Sequence, residues 1–404
     1  MTEPFDPTLL LSARANASDE GAIIRMSQKT RELRARGKDV VALTLGEPDF
    51  DTPLHIQDAA FAAMRAGHTH YSPVAGLPEL RDEVARKLRS ENELAYDAAN
   101  VVLANGAKQA INNAVLSLIG PGDEVIIPAP YWVSYESSVR FAGGTPVILP
   151  STVQEAYKTP VSRIADAVTS RTRLIIINSP SNPSGAVWTK TEFHELATLV
   201  ARHPRLMVIS DEIYEYIMFD GQMVSFGSLP GMLERTITVN GFSKGFAMTG
   251  WRLGYAAAPE PVAKAMARMQ SNISAGANAF VQRAAIAALE GPRDEVTRMR
   301  EAYRQRRDMV LTAVAGIPGF VIGKIPATFY AFPDISHFLG RKAVDRTLTT
   351  SDEFCDWLLE EHGVATVPGS AFGAPGSFRI SFATSEAVLE TAMARIAKAL
   401  AQLR

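Results

Sequence analysis

Cysteine is almost missing from this sequence: Cys355 is the one example in 404 residues. A single thiol excludes an internal disulfide and a cysteine-built metal cluster. Its neighbours Phe354, Trp357 and Leu358 read as a helix face on which it packs as a small hydrophobe. An excess of either charge is missing too, since 41 Lys and Arg stand against 43 Asp and Glu, a net of −2. That balance gives no concentrated basic surface and no reason to expect a nucleic-acid partner. Long apolar runs are also lacking. Leu9-Leu10-Leu11 is far too short for a signal peptide or a membrane span, so a cytoplasmic protein without membrane association is expected. His68 and His70 are two apart with no further ligand nearby in sequence, so no metal site is expected.

What is present is ordinary for a globular chain, with 47% hydrophobic and 21% charged residues. The length allows two or three domains, or one domain with a satellite. Short β-branched runs at 40–45, 101–104, 125–127, 174–177, 206–210 and 236–239 read as strands, and helical periodicity appears at 23–36, 79–88, from 109, and at 293–314. The last is dense in Arg and reads as a long connecting helix with a solvated charged face. Residues 329–332 and 378–382 alternate apolar and polar like half-exposed strands of a smaller unit.

The most informative stretch is Gly241-Phe242-Ser243-Lys244-Gly245-Phe246-Ala247-Met248-Thr249-Gly250-Trp251-Arg252-Leu253-Gly254. The run before it reads as a buried strand, which puts Lys244 on a glycine-flanked turn at a strand end, where open α/β sheets bind ligands. A lysine forms an imine when its amine is partly neutral, and shelter from water or a nearby cation moves its pKa that way. Arg252 offers such a cation and a grip for a phosphate. Ser-Lys-Gly in isolation would read as a solvated loop.

Other strand ends carry polar groups as well. Gly46-Glu47-Pro48-Asp49-Phe50 is a breaker-rich turn, and Asn105-Gly106-Ala107-Lys108 opens a helix whose free N–H groups and dipole suit an anion. Pro128-Ala129-Pro130-Tyr131-Trp132 offers an aromatic ring that either packs in the core or stacks on a flat ligand. Asn178-Ser179-Pro180-Ser181-Asn182-Pro183-Ser184-Gly185 is a stiff loop in which Asn182-Pro183 is a candidate cis bond. Thr189 and Glu192 read as a capping box. Asp211, directly after an apolar run, is costly to bury unless paired, and otherwise reads as a helix cap.

Taken together these stretches resemble the class I and II pyridoxal-phosphate aminotransferases of fold type I over nearly the whole chain. The likeness is closest to the bacterial aspartate aminotransferase branch, in LTLGEPDFDTP, PYWVSY, VRFAGG and KGFAMTGWRLGY. It implies an α/β fold: a large domain over 55–299 with a mostly parallel sheet flanked by helices, and a smaller α+β domain from 1–54 with 300–404. It implies pyridoxal 5′-phosphate as cofactor, with Lys244 as the Schiff-base lysine, Asp211 on the pyridinium nitrogen, and Tyr214 and Asn182 at the phenolate. Trp132 stacks on the ring in this likeness. Gly106, Ala107, Lys108, Ser243 and Arg252 hold the phosphate, helped by Tyr71 of a neighbouring subunit, so a homodimer is implied. Gly46, Trp132, Asn182 and Arg379 bind the substrate, Arg379 from an FRxSxA stretch taking the α-carboxylate. The reaction implied moves an amino group from an L-amino acid to a 2-oxo acid.

Departures from the branch bear on the substrate. Glu20-Gly21-Ala22-Ile23 lacks both hydroxyls of the Pro-Ser-Ala-Thr run found in aspartate-specific members, and residues 270–282 hold no Arg or Lys for a distal carboxylate. Lys108 is left for that role. Gly241 and Ala327 also replace a serine and a glycine of the family pattern. Aspartate leads as donor, with neutral, aromatic and basic amino acids open. A β-eliminating lyase would share every cofactor residue, and a non-catalytic sensor would need a DNA-binding domain that the roughly forty residues before Leu45 are too few to form.

Overall fold

The computed structural model describes residues 6–16, 21–343 and 346–404. Glu20, named above among the departures, lies outside the described residues. Seven strands build the main sheet: β1 (Val101–Ala104), β2 (Glu124–Pro128), β3 (Thr145–Leu149), β4 (Thr172–Asn178), β5 (Met207–Asp211), β6 (Thr236–Gly241) and β7 (Gly254–Ala257). They lie in the order β1-β7-β6-β5-β4-β2-β3. β7 runs antiparallel to both neighbours and every other pairing is parallel.

The strands are continuous apolar runs because both sheet faces are covered. Along β4, Leu174 and Ile176 join Ile111, Val115 and Met266 on one face, while Ile175 and Ile177 join Phe193, Leu196 and Phe226 on the other. That is the two-residue alternation of a strand. Helices Ala107–Leu118 and Glu260–Ile273 cover the first face, and Lys190–Ala201 the second. The last opens on the expected capping box, with Thr189 Oγ1 accepting from the Glu192 N–H. Among the described residues no helix is long and apolar enough to cross a membrane.

A smaller antiparallel sheet is formed by β8 (Tyr330–Ala331), β9 (Val367–Pro368) and β10 (Phe378–Ser381), in the order β9-β10-β8. Two expectations are corrected here. Residues 329–332 and 378–382 are buried throughout rather than half exposed, because β10 packs Phe378 on Phe354 while Arg379 lies against the ring of Tyr330. The strand expected at 40–45 shrinks to Val41–Ala42, paired with Val364–Ala365. Beyond it the backbone finds other partners: Leu43 O accepts from the Ser381 N–H and Thr44 O from the Arg379 guanidinium.

Helix Asp294–Ala315 forms as expected, but its charged face is not wholly solvated. Arg306 and Arg307 are buried. Arg306 Nη1 pairs with Asp49 at 2.8 Å, and Arg307 with Asp220 at 2.5 Å and Asp308 at 2.8 Å. A buried guanidinium needs such partners, and the partners on the 46–50 turn and at Asp220 are remote in sequence.

Candidate active site

The parallel strands β4, β5 and β6 end side by side, with Asn178 opposite Asp211 in register, and β6 runs straight into the Lys244 turn. A cavity of about 400 Å³ opens at these ends. It gathers Gly46, Ala107, Lys108, Trp132, Asn182, Asp211, Tyr214, Ser243, Lys244, Arg252 and Arg379 from segments spread across the chain. Gly106 borders it. Tyr71 does not line it: that side chain is 97% exposed and faces a separate surface depression with Asn105 and Ala277.

Lys244 Nζ donates to the carbonyl of Gly46. Burial is the main force that lowers its pKa to about 8, helped by the charges of Arg379 and Arg252 and opposed by Glu47 and Asp211. At pH 7 about a tenth of the amine is therefore neutral. Asp211 is 3% exposed, and its pKa is pushed up to about 6 by burial, against the pull of hydrogen bonds from Tyr135 and Ile213 and of Lys244. The Tyr135 hydroxyl donates to Oδ2 at 2.6 Å and the Ile213 N–H to Oδ1 at 3.3 Å, so the carboxylate is held in one orientation. Asp211 is not a helix cap.

Arg379 is 1% exposed, yet no carboxylate pairs with it among the described residues. Its Nη1 donates to Asn182 Oδ1 at 3.0 Å and its Nη2 to Thr44 O at 2.7 Å, while Nε has no partner. The guanidinium is sandwiched between Tyr330 and Phe372, 4.5 and 5.1 Å from their ring centroids. Such an under-satisfied buried cation suits a carboxylate ligand taken bidentately. The amide oxygen of Asn182 accepts from Arg379, which leaves its amide N–H groups for the phenolate contact expected of it. Its loop does contain the expected cis Asn182-Pro183 bond.

Helix Ala107–Leu118 starts without a side-chain cap, which leaves the N–H groups of Ala107 and Lys108 for an anion. Gly106 sits at φ +85°, and a Cβ there would fall 2.5 Å from the Arg252 guanidinium, so backbone and arginine form one close-fitting cradle. Arg252 itself is held by the carbonyls of Thr249 at 2.9 Å and Asn105 at 3.2 Å. The Lys108 ammonium lies 5.1 Å from the Trp132 ring centroid. Tyr214 and Tyr330 share a 3.0 Å hydroxyl contact beneath Lys244.

Several lining residues were not singled out from the sequence: Tyr135, Tyr330, Asn178, Thr249, Ile23 and Leu45. Tyr135 had a usable signal, one turn beyond Trp132 in the same motif. The rest also lay in stretches quoted above, but nothing in those stretches marked them, because their place depends on tertiary contacts. The donor set suits a ligand with an anionic end, a flat ring, a basic nitrogen and a second, carboxylate-bearing partner.

The sequence pattern of the family described as aminotransferase class I and II matches residues 38–396. An aspartate aminotransferase of Geobacillus stearothermophilus is 43% identical over 388 residues, 96% of this chain and 98% of that one. A bifunctional aspartate aminotransferase and glutamate/aspartate-prephenate aminotransferase of Petunia hybrida is 44% identical over 400 residues, 98% of this chain and 83% of its own. The crystal structure of an aspartate aminotransferase from Rhizobium meliloti superposes with a TM-score of 0.94 at 39% identity, covering 98% of this chain and 99% of the other.

Proposed function

The chain belongs to the class I and II aminotransferases, which use pyridoxal phosphate, and on that premise we propose that it moves the amino group of L-aspartate to a 2-oxo acid such as 2-oxoglutarate. The observation that carries this reading is one cavity lined by a partly neutral lysine, a buried carboxylate and a buried guanidinium lacking a carboxylate partner.

Pyridoxal phosphate supplies, when bound, a carbonyl that condenses with amines and a ring that withdraws electrons from the carbon it activates. Lys244 Nζ takes the proton from the amino acid's Cα as general base and returns it as general acid, a role its lowered pKa supports. Asp211, oriented by Tyr135, is the partner for a protonated ring nitrogen. Ala107, Lys108, Ser243 and Arg252 would hold the phosphate, with Gly106 letting the arginine close in. Trp132 and Tyr214, both lining the cavity, would flank the ring, and Arg379 with Asn182 would orient the α-carboxylate.

Among the described residues Lys108 is the cation of the cavity left as the candidate for a distal carboxylate; desolvation, then Arg252, lowers its pKa. The names of relatives, among them aspartate and aspartate/prephenate aminotransferases, favour aspartate over the neutral and basic donors. No observation favours a lyase. Residues 1–54 with 300–404 are proposed as the smaller domain, helix Asp294–Ala315 running across the boundary. A homodimer is proposed on the exposure of Leu54 (73%), Phe61 (55%) and Tyr71 (97%), the last serving the neighbour's phosphate site. A cytoplasmic location accords with the lone buried Cys355.

The test is a panel of amino donors against pyruvate and 2-oxoglutarate. Aspartate with 2-oxoglutarate is expected to turn over fastest. Keto-acid release with no acceptor present would instead identify a lyase.

A further inference from the structure

Behind the cavity, and lining no part of it, lies a buried polar chain that the reaction outlined above does not use. Lys87, on helix Pro78–Asn92, is 2% exposed, and Glu212 is 1% exposed. Lys87 Nζ pairs with Glu215 and donates to Asn92 Oδ1 at 2.7 Å. Asn92 Nδ2 donates to Glu215 Oε2 at 2.9 Å and to Ser225 Oγ at 3.0 Å. Ser225 Oγ in turn donates to Glu212 Oε2 at 2.7 Å, and Ser210 Oγ to Glu212 Oε1 at 2.8 Å. Three segments remote in sequence, 87–92, 210–215 and 225, are thereby tied together through side chains alone.

A cheaper interior was available. Burying an ion pair and its amides gains little stability over apolar packing of the same volume, so the chain needs a reason other than stability. Its placement offers one. Glu212 follows Asp211 and precedes Tyr214 by two, and its side chain is turned to Ser210 and Ser225, outside the cavity lining. Fixing Glu212 on its far side fixes the peptide that aims Asp211. The same chain reaches the lysine turn: Tyr216 lies 5.3 Å from Lys87 Nζ, donates to Glu91 Oε2 at 2.6 Å, and presses its ring against Gly245 so closely that a Cβ there would be 2.5 Å from it. Gly245 directly follows Lys244.

We propose that the buried chain Lys87–Asn92–Ser225–Glu212, closed by Glu215, positions Asp211 and Lys244 for the reaction, which makes Glu212 and Ser225 positioning residues of the active site. The proposal rests on the roles given above to Asp211 and Lys244. Burial pushes the Glu212 carboxyl up to about 8, so it is mostly protonated at neutral pH and a glutamine is its close mimic.

The test uses the holoenzyme carrying Glu212→Ala, Glu212→Gln or Ser225→Ala, with Lys244→Ala as the reference for the site. Glu212→Ala and Ser225→Ala are expected to lower kcat about tenfold with KM for aspartate within about twofold. Both should also displace the pH at which the bound cofactor's absorbance titrates, and Glu212→Gln should restore turnover and titration. Wild-type kcat and absorbance titration in variants that lose only melting temperature would reduce the chain to bracing and overturn the proposal. Should Glu212→Ala fail to fold, Ser225→Ala decides alone, since it deletes one hydroxyl. Undiminished turnover in Lys244→Ala overturns the site reading and this proposal with it, whereas silent network variants beside an inactive Lys244→Ala overturn this proposal only.

Discussion

Asp211 is where stability and function oppose each other most directly. Its folded pKa of about 6 lies above the ordinary 3.8. Between those values the folded protein holds a proton that the unfolded chain has lost, so stability falls as pH rises through that window, and above about 6 the whole cost is present. That cost is on the order of 3 kcal/mol. Asp211→Asn is therefore expected to raise the melting temperature of the cofactor-free protein at about pH 7.5, by a margin that shrinks toward about pH 4, while transamination is lost. Thermal melts across that range check it; a lower melting temperature at the upper end would count against the buried-charge account. Arg379 offers a second residue-scale test. Arg379→Lys keeps the charge but loses the planar fork, and should raise KM for the amino acid by about tenfold to a hundredfold through loss of a bidentate contact. An unchanged KM would mean that the carboxylate binds elsewhere.

Among the elements, helix Ala107–Leu118 matters most because its first turn is left open for an anion. Gly106→Ala places a methyl against Arg252 at a backbone angle that L-residues rarely adopt, so the variant should shed cofactor on dialysis where the parent retains it. Thr189→Ala, by contrast, removes a cap that lines no part of the cavity and should cost about 1 kcal/mol of stability with activity intact. The strands and helices that position the site were largely legible in the sequence, because apolar runs of β-branched residues and capping residues are local signals. Elements whose surroundings are set from afar were not. The expected exposure of 378–382 failed since nothing in that run announces that Tyr330 and Phe354 cover it. The burial of Arg306 and Arg307 was hidden because Asp49 and Asp220 lie far away in sequence. Tyr135, bonded to Asp211 across 76 residues, was in view as part of a motif and Asp211 as a buried carboxylate, but nothing in the sequence joined the two.

For the whole molecule, assembly has a simple readout. The exposed apolar side chains Leu54, Phe61 and Tyr71 predict a species of twice the chain mass in sedimentation, and Phe61→Asp should shift it toward the monomer with loss of cofactor retention. A monomer of full activity would exclude a shared site. The chemistry proposed for the chain depends on a single amine. Borohydride reduction of the purified protein with pyridoxal phosphate, followed by peptide mapping, should find the cofactor on Lys244 and nowhere else in stoichiometric amount, with the adduct lost in Lys244→Ala. A protein that yields no adduct, or one whose labelling is the same with and without Lys244, would contradict it.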